Sequence, residues 1–431
     1  MYQYILSNIL FINRNMKERE KYIKYIKLGQ SNLWTYGISG DYPIVLVTLD
    51  KESEIDIIRQ LVTAYRYWKF KNINVDLIII NTKESSYIET IEDSILNLIN
   101  TLGLMHNVNK SAGIFLFNKS TMNEDTLNLL KAICRLYIDC NKGSLAEQID
   151  IGSNKNKELD LLEKKEMKYT AKPYKFKILK LEYFNEIGGF DIENNEYTIV
   201  LKDYNNTPLP WINVMSNGNF GFHVSESGSS YSWYKNSREN KLTNWCNDPV
   251  IDGESEHIYI RDESTGEIWS ITPKPIRDNE KYIINHGFGY SNFKHYTKGI
   301  IGEITSYCPM EDNCKISLIK LKNNTDIRRE ISITYYASTV LGVSKQLSSQ
   351  YISTYLDEED FIYSRNPYNS SFKETIAYLK IIGGKEESFT GNRKEFLGIY
   401  GTIENPKALN YKKLDDEVGA GIDLVWLKIQ K

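Results

Sequence analysis

The stretch from Thr207 to Asp248 concentrates the side chains of this sequence that could recognise a ligand. It holds three of the chain's 7 Trp residues among Asn, Ser and Gly, and reads Arg-Glu-Asn at positions 238 to 240. Trp and Tyr offer flat apolar faces, while Asn, Asp and Arg supply directed hydrogen-bonding groups, a mixture that suits sugar rings and their hydroxyl groups. We therefore predict a carbohydrate-contacting surface built from loops. Its candidate residues are Trp211, Asn213, Trp233, Arg238, Asn240, Trp245, Asn247 and Asp248.

The same composition also allows a purely structural interpretation. Trp residues can fill the core of a sheet, and Asn and Gly residues can form its turns. Arg238 could pair with a neighbouring acid and order its own loop. Composition leaves both interpretations open.

Longer motifs in this region resemble a known family. They are PWINVMSNGNFGFHVSESGSSYSW and NSRENKLTNWCNDP, continued by YIRDESTGEIWSITPKPI and HGFGYSNF and preceded by LWTYGISGDYPIVLV. They look like glycoside hydrolase family 94 proteins, specifically the 1,2-β-oligoglucan phosphorylases and cyclic β-1,2-glucan synthases. The resemblance covers nearly the whole chain and implies an α/β segment followed by a β-supersandwich. The family's (α/α)6 barrel, which carries its catalytic acid and phosphate-binding residues, has no counterpart in this sequence.

The bulk composition excludes several classes of protein. The chain of 431 residues has 53 Lys+Arg against 56 Asp+Glu, so its net charge of -3 gives no electrostatic argument for a nucleic-acid partner. Its longest apolar runs fall short of the ~18 residues of a membrane span. The 5 Cys are scattered without a CxxC pair, and the first residues lack the features of a signal peptide. We predict a cytoplasmic protein without a membrane span.

Apolar patterning predicts an α+β multidomain fold in which a small three-layer α/β segment precedes a large antiparallel β-sandwich. Residues 1–32 are predicted as a strand and a charged helical connector, and residues 33–150 as the α/β segment. Residues 151–184 read as a charged linker, partly helical between Lys157 and Met167. Residues 185–431 read as the supersandwich, truncated at its C-terminus.

Near-continuous apolar runs predict three parallel strands in the α/β segment, because such strands are buried on both faces. They are Pro43–Leu49, Val75–Ile80 and Gly113–Phe117, each followed by apolar residues at helical spacing, the last of these at Tyr137. Ligand sites of parallel sheets lie beyond the strand carboxyl ends. Here those ends carry polar residues at 50–52, 81–83 and 118–120, with no glycine-rich phosphate loop.

Turn residues at short intervals predict antiparallel strands in the second half of the chain. They include Tyr197–Leu201, Ile258–Arg261, Ile301–Tyr307 and Lys315–Lys322. The last predicted strand, Gly421–Ile429, stands close to the end of the sequence. We expect it to form an unpaired edge that another chain would cover.

Catalytic machinery is not evident in the sequence. The five histidines show no metal-binding spacing, and no nucleophile motif is present. A hydrolytic carboxylate pair would need a defined separation that sequence cannot supply. The available acids are Glu226, Glu239, Asp248, Asp262 and Glu263.

The resemblance implies the carbohydrate-binding, non-catalytic portion of a β-1,2-glucan phosphorylase or cyclic β-1,2-glucan synthase, inactive by itself. Its expected partners are a β-glucan oligosaccharide and either a separate chain carrying the (α/α)6 barrel or a homodimer partner. No cofactor is expected, since inorganic phosphate is a co-substrate of the complete enzyme. The alternative is a free-standing carbohydrate-binding module without an enzymatic partner.

Overall fold

The protein is described by a computed structural model. The described residues are 2–10, 22–23, 26, 28–83, 88–149, 159–177, 180–248, 250–253, 255–384, 386–398, 400–419 and 423–430. The chain divides into two compact units, unit 1 with residues 1–156 and 367–373, and unit 2 with residues 157–366 and 374–431.

Unit 1 is built on a four-stranded parallel sheet. Its strands are β1 (Ile44–Leu49), β2 (Asp76–Asn81), β3 (Ile114–Asn118) and β4 (Leu136–Asp139), in the order β3-β2-β1-β4. All residues of β1 and β2 are buried, which explains their continuous apolar sequence and confirms the predicted parallel sheet. The helices of this unit span Tyr2–Leu10, Ile55–Phe70, Ile88–Thr101, Glu124–Ile133 and Leu145–Ile149.

The fourth strand is missing from the sequence-based prediction. The third helix was expected to continue to Tyr137, but it ends at Ile133, and Cys134 adopts an extended conformation. Arg135 then donates a backbone hydrogen bond to Ile44, and β4 pairs with β1. Pairing with the sheet therefore overrides the local helical spacing.

The strand predicted near the N-terminus is wrong, since Tyr2–Leu10 forms a helix. Ile5 and Ile9, four residues apart, are fully buried in the core that also contains the Ile55–Phe70 helix. A short apolar run does not distinguish a buried helix from a strand, and the packing partner decides here. The predicted connector at 11–21 lies outside the described residues.

Unit 2 is formed mainly by antiparallel strands. In chain order they are β5 (Gly188–Asp191), β6 (Glu196–Leu201), β7 (Ile212–Ser216), β8 (Phe220–Ser225), β9 (Ser230–Tyr234), β10 (Lys241–Thr243), β11 (Glu256–Asp262), β12 (Ile268–Trp269), β13 (Tyr282–Gly287), β14 (Tyr290–Thr297), β15 (Ile300–Tyr307), β16 (Ile316–Asn323), β17 (Ile331–Gly342), β18 (Ser353–Leu356), β19 (Ile362–Arg365), β20 (Ile376–Leu379), β21 (Glu386–Thr390) and β22 (Asp423–Gln430). Short helices span Lys345–Ser348 and Arg393–Leu397.

These strands form a sandwich-like arrangement of sheets. The largest sheet has the order β12-β11-β17-β10-β9-β8-β7, with β22 and β21 joined to β17. A six-stranded sheet has the order β16-β15-β14-β13-β6-β5, and β18, β19 and β20 form a smaller one. Side chains of both larger sheets, such as Phe222, Trp426 and Phe293, share one buried apolar cluster. The predicted α/β segment and antiparallel sandwich are thus confirmed.

The last predicted strand exists but is not an edge. β22 pairs with β17 on one side and with β21 on the other. Its residues Leu424 and Trp426 are buried in the core of the sandwich. The expectation of an unpaired edge is therefore wrong, because the Glu386–Thr390 segment covers it.

Two further expectations need correction. The linker is not helical over 159–167, where Leu161 instead forms a β-bridge with Tyr411; residues 151–158 lie outside the description. The region 207–248 is not a set of loops, since it contains β7, β8, β9 and β10. All six residues of β8 are buried: Phe220, Phe222 and Val224 face the apolar core, and His223 on the other face packs against Tyr231.

None of the helices in the described part of the chain is long and apolar enough to cross a membrane. The five cysteines are free thiols, of which Cys246 is exposed.

Candidate functional site

A glycine sets the position of the first Trp ring of the candidate site. Gly221 on β8 lies opposite Trp233 on β9. A Cβ atom at Gly221 would lie 2.4 Å from the Trp233 ring, far inside van der Waals contact. The indole of Trp233 therefore lies over the backbone of Gly221 on the neighbouring strand β8, whose residues are all buried.

Four rings form what we call the aromatic cluster: His223, Tyr231, Trp233 and Trp245. The Trp245 ring stacks on Tyr231 at 4.8 Å with an interplanar angle of 2°, and Trp233 lies 5.1 Å from Tyr231. His223 meets Tyr231 edge to face at 4.6 Å. Tyr231 and His223 are buried, whereas both Trp rings are half-buried. The structure thus brings two predicted residues together and leaves part of each ring accessible.

The aromatic cluster carries no charge at neutral pH. Burial lowers the pKa of His223 to about 4, against an opposing effect of Glu256. The imidazole is therefore neutral, and the cluster presents apolar faces rimmed by polar ring edges. Such a surface can stack against a neutral ring but has no cation with which to hold an anion.

The turn after β9 places two of the predicted polar residues, Arg238 and Asn240, in different environments. The Asn236 Oδ1 atom accepts hydrogen bonds from the backbone N–H groups of Arg238 and Glu239, at 2.9 Å each. Arg238 is highly exposed, and its Nε lies 3.3 Å from a Glu239 carboxylate oxygen. Asn240 is buried and donates to the Tyr234 carbonyl. Asn240 therefore stabilises the turn, while Arg238 faces solvent beside its acidic neighbour.

The loop after Trp245 is organised by Asp248. Its Oδ1 atom accepts from the backbone N–H groups of Val250 and Ile251 at 2.8 and 3.0 Å, and these bonds lower the pKa of the carboxyl. Asn247 is exposed and has a left-handed backbone, with φ of 51°. Asp248 thus shapes the loop, and Asn247 presents its amide to solvent.

The two remaining candidates lie on β7 and the segment before it. The Trp211 backbone N–H donates to Glu226 Oε2 at 2.7 Å, and the Trp211 carbonyl lies 3.2 Å from Nε2 of His286. The Asn213 amide donates to the carbonyls of Gly287 and Tyr290, at 2.9 Å each. Both residues join β7 to the β13–β14 hairpin, and none of their described contacts is with the aromatic cluster.

Comparison with known proteins identifies the second unit. Residues 195–427 match the family model described as glycosyl hydrolase 94, supersandwich domain, which is more than half of the chain. The chain belongs to the glycosyl hydrolase 94 supersandwich family. This confirms the resemblance carried by the motifs between Pro210 and Phe293.

Relatives of this supersandwich chain include synthases and phosphorylases. It is 27% identical over 427 residues to cyclic beta-(1,2)-glucan synthase NdvB of Rhizobium meliloti (strain 1021), covering 95% of this chain and 15% of that protein. It is 27% identical to an N,N'-diacetylchitobiose phosphorylase of Vibrio proteolyticus, covering 52% and 28% respectively. A solabiose phosphorylase of Paenibacillus borealis is 26% identical, covering 40% and 23%. The chain spans less than a third of the length of these relatives.

The acids available for hydrolysis in the supersandwich each have another partner. Asp262 is fully buried and paired with Arg329, and Glu263 is paired with Arg261 through two hydrogen bonds of 2.7 and 2.9 Å. Glu226 is buried and accepts from Thr207 and the Trp211 backbone. Glu239 and Asp248 have the local roles described above. These arrangements are those of structural carboxylates.

A polar centre inside the supersandwich was not foreseen. Glu256 accepts hydrogen bonds from Ser232, Thr243 and Lys315 at 2.7 Å each, and from Tyr335 at 2.9 Å. Glu256, Lys315 and Tyr335 border a cavity of about 20 Å³, enough for about one water molecule. The centre is too small for a sugar. Because its members lie far apart in sequence, their types alone could not reveal it.

A second aromatic surface was also missed. Tyr355, Tyr363 and Tyr378 occupy matching positions on β18, β19 and β20 and so share one face of the small sheet. The rings of Tyr355 and Tyr363 stack at 5.2 Å, and Tyr378 is half-exposed. The neighbouring Ile362 and Ala377 face the core instead. Alternation within the short runs STYL, IYSR and IAYL was the available signal.

Proposed function

We propose that this chain is the carbohydrate-binding, non-catalytic portion of a β-1,2-glucan phosphorylase or cyclic β-1,2-glucan synthase. The similarity to the cyclic glucan synthase carries this proposal, because it extends over 95% of the chain and through both compact units. The phosphorylase matches reach only 52% and 40% of the chain.

The aromatic cluster is the proposed contact surface for the glucan. Trp233 and Trp245 are half-buried, so a sugar ring can stack on their accessible faces without rearrangement of the strands. Arg238 and Asn247 are exposed on the turns that follow these strands, where they can hydrogen-bond to hydroxyl groups. Asn240, Trp211 and Asn213 support the surface through their contacts within the fold.

Phosphorolysis of the glucan is proposed to require catalytic residues outside this chain. The candidate acids of the supersandwich serve hydrogen bonds and ion pairs within the fold, as described above. A separate chain with an (α/α)6 barrel, or a homodimer partner, would supply the catalytic acid, and inorganic phosphate would be the co-substrate. The cytoplasm remains the predicted location.

Calorimetric titration with β-1,2- and β-1,4-linked glucooligosaccharides tests the binding proposal. We expect heat with the β-1,2-linked series and a loss of affinity of at least tenfold in Trp245→Ala. Trp34→Ala is the matched control, since Trp34 is an exposed tryptophan of unit 1. Equal affinity in Trp245→Ala and the wild type would reject the aromatic cluster as the contact surface.

Phosphate consumption with β-1,2-glucooligosaccharides tests the proposal that the catalytic residues lie outside this chain. The chain alone is expected to be inactive, and activity should appear on addition of a barrel-carrying chain. Turnover by the chain alone would contradict the proposal. Binding without turnover in any combination would favour a free-standing carbohydrate-binding module.

A further inference from the structure

A lysine-rich segment lies against the outer side of the six-stranded sheet in unit 2. Residues 168–177, KYTAKPYKFK, contain four lysines and no acid, in a chain whose net charge is -3. The Lys172 carbonyl accepts hydrogen bonds from the Tyr296 hydroxyl at 2.6 Å and from the Asn324 amide at 2.7 Å. Tyr296 belongs to β14, and Asn324 directly follows β16. These contacts hold the segment on the sheet.

Aromatic side chains of this segment pack towards the sheet, while its lysines remain in solvent. The Tyr174 ring meets Tyr296 of β14 at 5.7 Å and Phe176 at 5.0 Å. Tyr174 and Phe176 therefore lie on the same side of the segment. Lys175 between them is exposed, and so is Lys177.

The sheet adds three lysines on its outer face. Lys294 on β14 and Lys320 on β16 are the two cross-strand partners of Glu303 on β15. Lys322 follows Lys320 at an interval of two, so it lies on the same face. The residues that alternate with these lysines, such as Phe293, belong to the apolar core. We call the combined set the basic face: Lys172, Lys175, Lys177, Lys294, Lys320 and Lys322.

The charges of the basic face are not neutralised within the described part of the chain. None of its six ammonium groups forms an ion pair or a hydrogen bond with a described residue. Glu303 is the only acid of β14, β15 and β16, and it accepts a hydrogen bond from Asn292 at 2.8 Å. Asp326, which follows β16, accepts from the Thr170 backbone. Positive charge therefore predominates on this part of the surface.

Apolar side chains are exposed among these lysines. Leu318 and Ile316 precede Lys320 on the same face of β16, and they are 49% and 37% exposed. Tyr174 is 41% exposed. Lysines interspersed with exposed aliphatic and aromatic side chains are typical of surfaces that bind anionic bilayers. The ammonium groups attract the headgroups, and the apolar groups enter the interface.

The shape of this surface and its aliphatic residues also favour a bilayer over a nucleic acid. The six strands of the sheet, at about 4.8 Å from one to the next, span roughly 24 Å, which suits an extended planar partner. Leu318 and Ile316 have neither a ring on which a base could stack nor a hydrogen-bonding group. Surfaces for single-stranded nucleic acids rely on stacked aromatic rings.

We propose that the basic face binds the surface of an anionic lipid bilayer. Its lysines contact the phosphate groups of the lipids, and Tyr174 and Leu318 enter the headgroup region. The aromatic cluster is carried by β8 and β9 of the other large sheet, so the two surfaces belong to different sheets. The bilayer proposal does not depend on the proposed glucan contact.

Co-sedimentation of the full chain with vesicles tests this proposal. We expect binding to vesicles of phosphatidylglycerol and phosphatidylcholine that weakens as the ionic strength rises, and no binding to phosphatidylcholine alone. Each lysine contributes about fivefold to the partition coefficient. Two double variants, Lys175→Gln with Lys177→Gln and Lys320→Gln with Lys322→Gln, should therefore each lower it about twenty-five-fold.

Lys394→Gln combined with Lys413→Gln is the matched control, because both lysines are exposed and lie outside the basic face. This variant should keep the wild-type partition coefficient, and all three double variants should keep the wild-type melting temperature. Equal sedimentation with neutral and anionic vesicles would overturn the proposal. So would no sedimentation with either, or double variants of the basic face that bind like the wild type.

Competition assays distinguish other anionic partners. Displacement of the chain from vesicles by a single-stranded oligonucleotide or by polyglutamate at lower concentration than by free lipid would assign the basic face to that partner and reject the bilayer. Trp245→Ala should sediment like the wild type. The bilayer proposal and the glucan proposal can therefore fail independently of each other.

Discussion

Replacing Lys315 by methionine is expected to reverse the pH dependence of the stability of the supersandwich. The Nζ atom of Lys315 lies 2.7 Å from Oε2 of Glu256, and both side chains are largely buried. Ser232, Thr243 and Tyr335 also donate to this carboxylate. The lysine supplies the one positive charge among these four donors.

The size of the effect follows from the pKa of Glu256. Burial acts to raise it, but the charge of Lys315 and the hydrogen bonds outweigh burial and lower the pKa from 4.5 to about 2. The difference, 4.5 minus 2, corresponds to about 3 kcal/mol of stability at neutral pH, as an order of magnitude. Because the folded pKa is the lower one, this contribution is full above pH 5 or so and is lost as the pH falls towards about 2.

In Lys315→Met, burial is no longer opposed by a charge, so the pKa of Glu256 should rise above 4.5. Stability should then increase on acidification instead of decreasing. At pH 7 the variant should lose about 3–5 kcal/mol, the usual result of leaving a buried charge unpaired. Denaturant unfolding followed by near-ultraviolet circular dichroism between pH 3 and pH 8 measures both effects.

Lys320→Met is the matched control, because Lys320 is exposed on β16, the strand that begins directly after Lys315. It should keep the wild-type pH profile. A second variant, Glu256→Gln combined with Lys315→Met, should recover part of the lost stability, since it removes the unpaired charge. If Lys315→Met alone loses stability on acidification as steeply as the wild type, Lys315 does not hold Glu256 ionised and the reasoning fails.

Three further predictions concern stability. Gly221→Ala should lower the free energy of unfolding by about 1–3 kcal/mol and alter Trp fluorescence, because the added Cβ would lie 2.4 Å from the Trp233 ring. Gly342→Ala is the control in the same denaturation assay and should be tolerated, since the nearest neighbour of its Cβ lies at 3.5 Å. Burial and nearby acids raise the pKa of Glu395 to about 8, so wild-type stability should fall between about pH 5 and pH 8, and thermal melts of Glu395→Gln should lack this decline. Arg261→Lys should lower the free energy of unfolding by about 3–5 kcal/mol, since lysine cannot reproduce four hydrogen bonds made by a buried guanidinium. An unchanged free energy of unfolding would contradict the structural role of Arg261.

The sequence predicts the parallel strands of unit 1 well because both of their faces are buried. Val45, Leu46 and Val47 illustrate this, since neighbouring residues on opposite faces are equally inaccessible. The prediction misses the Tyr2–Leu10 helix and β4, because their local sequences do not determine their conformation. Both are short, and what decides their conformation is a packing or pairing partner far away in sequence.

The candidate site is predictable only in part. Tyr231 and Trp245 lie 14 residues apart in the sequence, and composition alone does not predict that their rings stack. Asn240 and Arg238 look alike in sequence as polar turn residues, yet one is buried and the other faces solvent. Turn formation and ligand contact draw on the same residue types, so their separation requires the three-dimensional structure.

The pairing of β22 with β17 has a consequence for biosynthesis. About 80 residues separate the two strands in the sequence, so the ribosome must extend the polypeptide well past Gly342 before the central ladder of the sheet can close. Until then one side of β17 is open to strand exchange with other nascent chains. Expression fragments that stop before residue 423 should therefore aggregate, and slow translation downstream of β17 would prolong the vulnerable interval.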